Sequence, residues 1–215
     1  MRIMDKERAL VTGASSGIGM EIAKILASQN CDLVICARRK NELEKLSKEL
    51  TEKYNIDCEV IVADLTTEQG INSVIQKVDE VDILVNNAGF GILGNHTEMQ
   101  SERQLQMIDL NIHALTKLTH EFSNRMVKKG SGKIMNVASI AAYISGPGFA
   151  VYCATKAYVL SYSRALHKEL KNRGNTITVI VSPNKHFIPS NSLNKYINIF
   201  VERYKDMKID KIASK

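Results

Sequence analysis

No apolar run in the sequence is long enough to cross a bilayer, so a membrane-spanning role is excluded and a soluble protein is expected. Residues 1–8 carry scattered charges with neither an apolar core nor a small-residue cleavage site, which argues against a signal peptide and predicts a cytoplasmic address. The four cysteines, Cys31, Cys36, Cys58 and Cys153, form no Cys-x-x-Cys pair and have no histidine nearby at ligand spacing, so reduced thiols and no metal are expected. The net charge of +6 is unevenly spread: residues 1–183 hold 22 Lys and Arg against 20 Asp and Glu, whereas 184–215 hold 7 against 3. No aromatic-rich binding motif accompanies this basic tail, so nucleic acid is not an expected partner. At 215 residues, 44% hydrophobic and 24% charged, the chain fits one globular domain, with 1–183 as its body and 184–215 as a tail of different character.

Six short apolar runs alternate with helix-compatible stretches. The first, 9–11, leads into Thr12-Gly13-Ala14-Ser15-Ser16-Gly17-Ile18-Gly19 and then a helical spacing through Ile22, Ile25 and Leu26. Glycines in such a strand-turn-helix permit a tight turn, let phosphate approach the backbone and bring helix against strand, while N–H groups at the helix start receive negative charge. The turn is suited to a pyrophosphate.

The second run, 33–37, ends at Ala37-Arg38-Arg39, where the adenosine ribose of a dinucleotide would lie. Ala37 offers no carboxylate to a ribose 2′-hydroxyl, and Arg38 offers a forked guanidinium to a 2′-phosphate. Arg39 is read as the start of a charged helix over 41–50. The third run, 59–63, ends at Asp64-Leu65 before a helix over 67–78; Asp64 either accepts a hydrogen bond from adenine or caps that helix. The fourth, 82–85, runs into Asn86-Asn87-Ala88-Gly89, at the sheet edge where ligands of open α/β sheets bind.

A long helical pattern between 99 and 129 carries Leu105, Ile108, Ile112, Leu115 and Leu118 at helical spacing, interrupted by Asn111, which is either a structural hydrogen-bonder or a participant in chemistry. The fifth run, 133–137, ends at Ala138-Ser139. A loop with Gly146-Pro147-Gly148 then leads to Tyr152-Cys153-Ala154-Thr155-Lys156, whose phenol and ammonium share one helix face a turn apart. A free tyrosine loses its proton only near pH ~10, and a neighbouring cation favours the phenolate. The sixth run, 176–181, ends at Ser182-Pro183, and six such alternations predict a parallel, doubly wound sheet.

Together, Thr12-Gly13-x-x-x-Gly17-x-Gly19, Asn86-Asn87-Ala88-Gly89, Asn111, Ser139 and Tyr152-x-x-x-Lys156 resemble the short-chain dehydrogenase/reductase family in its compact single-domain form, over residues 7–183. The resemblance implies a Rossmann-like α/β fold with strand order 3-2-1-4-5-6 and a small carbonyl or alcohol as substrate. It also implies a homo-oligomer and a nicotinamide cofactor, which Arg38 beside Ala37 points to as NADP(H). In its terms Tyr152 is the proton donor to a carbonyl oxygen, Ser139 holds that oxygen, and Lys156 binds the nicotinamide ribose and favours the phenolate. Asn111 supports a water linking the lysine to solvent. Gly13, Ser15, Ser16, Gly17, Ile18, Gly19, Arg38, Asp64, Leu65, Asn87, Ala88, Gly89, Tyr152, Lys156 and Pro183 surround the cofactor.

The chain departs from the family pattern after Pro183. Asn184 stands where glycine follows the proline, and Ile188 stands where a threonine would bond the nicotinamide carboxamide. The tail suggests a truncated or frame-shifted ending without a seventh strand. The tail is read either as disordered or as one helix over 194–207, with Ile197, Phe200, Val201 and Tyr204 as an apolar stripe. The expected activity is NADP-dependent reduction of a carbonyl, or its reverse, with a nucleotide-binding but catalytically impaired protein as the alternative.

Overall fold

The computed structural model describes residues 6–171 and the backbone of 175–182. Strands β1 (Arg8–Thr12), β2 (Asp32–Ala37), β3 (Cys58–Val62), β4 (Ile83–Asn86), β5 (Gly132–Ser139) and β6 (Asn175–Ser182) form one parallel sheet in the order β3-β2-β1-β4-β5-β6. The connecting helices are α1 (Gly17–Ser28), α2 (Lys40–Tyr54), α3 (Glu68–Lys77), α4 (Ser101–Ile108), α5 (Leu115–Lys129) and α6 (Ala150–Leu170). This is the doubly wound, Rossmann-like architecture expected from the alternation of runs. Pro183, the departures at Asn184 and Ile188, the 194–207 helix and the seventh strand expected to be missing all lie outside the described residues.

Strand side chains alternate between two buried faces, as a sheet covered on both sides requires. Ala9, Val11, Leu33, Ile35, Ile83, Val85, Met135 and Val137 join Ile22, Leu26, Leu43, Leu46 and Leu50 of α1 and α2 in one core. Leu10, Val34, Cys36, Ile61, Leu84 and Ile134 face the other way, onto Ile71 and Val74 of α3 and Leu118, Phe122 and Met126 of α5. At the ends of β4 and β5 the core becomes polar. Asn86 Nδ2 donates to Thr119 Oγ1 and to Asn136 Oδ1, both at 2.9 Å, and Asn136 Nδ2 donates to Ser163 Oγ at 2.9 Å. All four residues are buried, so this ladder ties α5, β4, β5 and α6 into one register.

Element ends follow local chemistry. Asn55 (φ 53°) and Gly130 (φ 80°) take left-handed conformations that close α2 and α5. The carbonyls at the end of α3 are met from outside it: Arg125 donates to Ile75 O, Val78 O and Asp79 O. Several strands extend beyond the apolar runs. β5 continues through Ser139, which makes that serine the last strand residue, aligned with Ser182 of β6.

The 99–129 pattern is not one regular α-helix. Between α4 and α5 the chain makes a π-helical turn, Asp109–Ala114. Its i→i+5 bonding widens the period, so a stripe spaced for 3.6 residues per turn does not stay on one face. Leu105 and Ile108 are 58% and 37% exposed, while Gln104, Met107, Asn111, Ala114 and Leu115 take the buried side. Asn111 therefore lies off the line of Leu105 and Ile108, on the buried face with Met107, Ala114 and Leu115.

Candidate active site

The carboxyl ends of β1 to β5 open onto a cleft of about 710 Å³, a size suited to a small-molecule ligand. One end is built around the glycine turn. Gly13 (φ +69°) and Gly17 (φ +58°) adopt backbone that favours glycine. A Cβ on Gly13 would lie 2.8 Å from Asn87 Nδ2 and 2.9 Å from Ala88 Cα, and one on Gly19 would lie 2.5 Å from Gly13 O. Thr12 pins the turn to β4: its hydroxyl donates to Val85 O and accepts from Asn87 N and Ala88 N, each at 3.1 Å. Asn87 Nδ2 donates to Thr12 O and Gly13 O. The Asn87 amide thus fixes the strand end while the residue also lines the cleft.

Gly13, Ser15, Ser16 and Ile18 form the wall at the turn; Arg38, Asp64 and Leu65 form the wall beyond β2 and β3. Ala88 and Gly89 continue it toward the other end. Gly17 and Gly19 are not on the wall and act beneath it, through backbone conformation and close packing. Arg38 Nη1 lies 4.0 Å from Asp64 Oδ2, with both side chains largely open to solvent. The alternative of Asp64 as helix cap is corrected: Thr67 caps α3, accepting from Gly70 N at 3.0 Å. Asp64 Oδ1 instead accepts from Thr66 N and Thr66 Oγ1 in a tight local turn, which leaves Asp64 on the cleft wall.

Arg39 is a second correction. It does precede α2, but its guanidinium turns back to the glycine loop, donating from Nη2 to Ser15 O and Ser15 Oγ at 3.0 Å and from Nε to Ser15 Oγ at 3.2 Å. Arg39 therefore stands beside the glycine turn and Arg38 on the wall beyond β2, and among the described residues of that wall the one carboxylate is that of Asp64. Guanidinium groups and the N–H groups of the glycine turn are donors that could hold phosphate.

Ser139, Tyr152 and Lys156 meet at the other end. Ser139 Oγ accepts from Ala141 N at 3.2 Å, so the hydroxyl hydrogen remains available to a ligand oxygen. The Tyr152 ring packs 6.1 Å from the Phe149 ring and against Gly91, where an added Cβ would lie 2.7 Å from its Cδ2. The phenol oxygen has no hydrogen-bond partner among the described residues. Lys156 is 6% exposed; its Nζ donates to Val137 O at 2.8 Å and lies 5.9 Å from the centre of the Tyr152 ring. Burial pushes this ammonium down to about 8.

Asn111 stands behind the wall rather than on it. Its Oδ1 accepts from Phe90 N at 3.1 Å, and its Nδ2 donates to Phe90 O at 2.9 Å and Thr155 Oγ1 at 3.0 Å. A Cβ on Gly89 would fall 2.8 Å from Asn111 Oδ1 and 3.5 Å from Lys156 Nζ, so the amide and the ammonium flank the same glycine. Phe90, Gly91, Phe149 and Arg39 are wall residues that the sequence pattern did not single out. Gly91 had a visible signal in its place two residues after Gly89; the aromatic residues had none.

The protein-family model described as short chain dehydrogenase matches residues 7–184. The 3-oxoacyl-(acyl-carrier-protein) reductase FabG of Rickettsia prowazekii is 33% identical over 172 residues, covering 80% of this chain and 70% of that protein. Two solved structures are also similar. The bulky-bulky ketone specific alcohol dehydrogenase from Comamonas testosteroni has a TM-score of 0.85 at 30% identity, covering 93% of this chain and 82% of the other. A short-chain dehydrogenase from Sphingobium yanoikuyae in complex with NADPH has a TM-score of 0.84 at 29% identity, covering 93% and 84%. With the family model matched over most of the chain, a relative 33% identical and solved structures of the same shape, the chain belongs to the short-chain dehydrogenase family of oxidoreductases.

Proposed function

We propose that the protein interconverts a carbonyl and an alcohol with NADP(H), and that Tyr152 gives or takes the proton. The observation that carries this reading is the convergence of Ser139, Tyr152 and Lys156 at one end of a cleft whose other end holds the glycine turn and two arginines. When bound, a reduced nicotinamide supplies a hydride to the carbonyl carbon, and negative charge develops on oxygen. Ser139 donates its free hydroxyl hydrogen to that oxygen. The Tyr152 O–H bond breaks, its proton joins the substrate oxygen, and its electron pair remains on the phenolate, which the Lys156 ammonium stabilises. Alcohol oxidation runs the same proton transfer backwards.

The test is oxidation of NADPH with a panel of small ketones and aldehydes. A protein that binds NADPH and turns over none of them is the nucleotide-binding, catalytically impaired alternative, which Ile188 in the place of a carboxamide-binding threonine favours.

Cofactor choice is a separate expectation. A charge-assisted hydrogen bond is worth about 1.5–3 kcal/mol, so NADPH should bind roughly ten- to a hundredfold more tightly than NADH. Arg38→Ala and Arg39→Ala should each erode that preference, and the double variant should lose it. Fluorescence titration of both cofactors measures it; equal affinities in the wild type would overturn the assignment.

The buried lysine sets a pH dependence. Its folded value of about 8 is below the ~10.4 of an exposed lysine. Below pH 8 the ammonium is charged and supports the phenolate; above it the support is withdrawn, so carbonyl turnover should fall as pH rises through about 8. Its contribution to stability runs the other way. The unfolded chain holds the proton between about 8 and ~10.4 while the folded free protein does not, so the cost of burying the charge is relieved as pH rises across that window. Melting curves of wild type and Lys156→Met isolate this: the melting-temperature difference between the two should change with pH in that window. A difference that stays constant would show that the lysine is not depressed.

A further inference from the structure

Thr155 lies between Tyr152 and Lys156 in the chain, is 1% exposed, and has no place on the cleft wall. Its hydroxyl makes two bonds, donating to Tyr152 O at 2.8 Å and accepting from Asn111 Nδ2 at 3.0 Å. A threonine hydroxyl has a single hydrogen. With that hydrogen committed to the Tyr152 carbonyl, Thr155 can show the Asn111 amide only a lone pair, and the amide must turn its NH2 end toward it.

That choice is transmitted. Asn111 grips the two polar groups of Phe90, accepting from its N–H and donating to its C=O. Were the amide reversed, oxygen would face the Phe90 carbonyl and the NH2 group would face the Phe90 N–H, so both bonds would be lost. Phe90 is followed by Gly91, which is pressed against the Tyr152 ring. The path therefore runs from the Tyr152 backbone through Thr155, Asn111 and Phe90 and returns to the face of the Tyr152 ring. It closes across 44 residues of chain between Asn111 and Thr155 and 21 between Phe90 and Asn111.

We propose that Thr155 is a positioning residue for the phenol: by fixing the orientation of the Asn111 amide, it holds Phe90 and Gly91, which set where the Tyr152 ring stands over the cleft. This rests on the reading of Tyr152 as the proton donor. Thr155 touches neither substrate nor the adenosine end, so its effect falls on turnover and not on cofactor affinity.

Three variants separate this from simple packing. Thr155→Val keeps the shape and removes both hydrogen bonds; Thr155→Ser keeps the hydroxyl; Thr155→Ala is the fallback if valine does not fold. At a temperature well below every melting transition, Thr155→Val should lower kcat by ~10- to 100-fold, the scale of a small misplacement of a reacting group. It should also shift the pH profile of kcat, with the NADPH Kd within about twofold of wild type, a margin equivalent to only ~0.4 kcal/mol. Thr155→Ser should restore both kcat and profile. Amide hydrogen exchange at Phe90 should accelerate in the valine and alanine variants and remain slow in the serine variant, a readout that needs no substrate. A folded valine or alanine variant with wild-type kcat, pH profile and Phe90 exchange overturns the proposal. Tyr152→Phe in the same series keeps the two readings apart: if it retains turnover, the proton-donor assignment fails whatever Thr155 does.

Discussion

Tyr152→Phe is expected to lower carbonyl turnover by ~10²–10⁴-fold, the range attributed to a positioned general acid, while leaving NADPH affinity nearly unchanged. The substitution removes one oxygen that has no hydrogen-bond partner among the described residues, so folding loses nothing from its removal. The ring keeps its contacts with Phe149 and Gly91. Loss of Lys156 should behave differently, damaging both turnover and cofactor binding, because the ammonium lies beside the phenol ring and on the cleft wall. Steady-state rates with a ketone that the wild type reduces, together with NADPH titrations, decide between the two patterns. Near-normal turnover in Tyr152→Phe would sink the mechanism.

The second large effect is one of packing. Gly70, in the first turn of α3, lies so close to Asp64 that a Cβ there would sit 1.9 Å from Asp64 O. That oxygen is backbone, and it already accepts from Thr67 N at 3.2 Å and Thr67 Oγ1 at 2.9 Å, so it cannot move aside without opening the helix cap. Gly70→Ala should therefore cost ~3 kcal/mol, at the upper end for overpacking a tight site. In a domain of this size that is a fall of roughly 6–12 °C in Tm. Asp64 and Leu65 line the cleft, so NADPH affinity should fall with it. Gly146→Ala is the matched control, since its Cβ would meet nothing nearer than Cys153 Sγ at 3.6 Å. Equal melting temperatures for the two variants would show that the α3 start has room the geometry denies.

The difference between what the sequence disclosed and what it hid follows from the range of the interactions. Ser139, Tyr152 and Lys156 were legible because strand ends of a parallel sheet converge, and a strand-loop-helix pattern places the serine near the tyrosine helix. The glycine turn was legible because its constraint is local backbone conformation. Arg39 was misread as only a helix start, because its partner Ser15 is 24 residues away on another loop. Thr155 was passed over for the same reason, its amide partner being 44 residues distant. The π turn at Asp109–Ala114 left no mark in the periodicity: Leu105 and Ile108 are spaced for burial with Ile112 and Leu115, and a widened turn sets them on the outside. Asp64 is a helix cap by residue type, and only the geometry of Gly70 N places the cap on Thr67 instead.

The seam between β1 and β4 carries a consequence for how the chain assembles. Leu10 pairs with Val34 on one side and with Leu84 on the other, so closing the second pairing from an open chain spans about three times as many residues as the first. The added loop entropy is only about 1 kcal/mol. Yet every pairing in the sheet is parallel and non-local, which slows folding of such a topology. The seam is three residue pairs long, Ala9 with Ile83, Leu10 with Leu84 and Val11 with Val85. Above it, Gly13, Arg38 and Asp64 come from one side of the sheet and Asn87, Ser139 and Tyr152 from the other. A ligand that spans the cleft therefore binds only after this closure, and by mass action it draws the folding equilibrium toward the closed chain. The crevice that serves binding is also the place where the two halves of the protein are clasped.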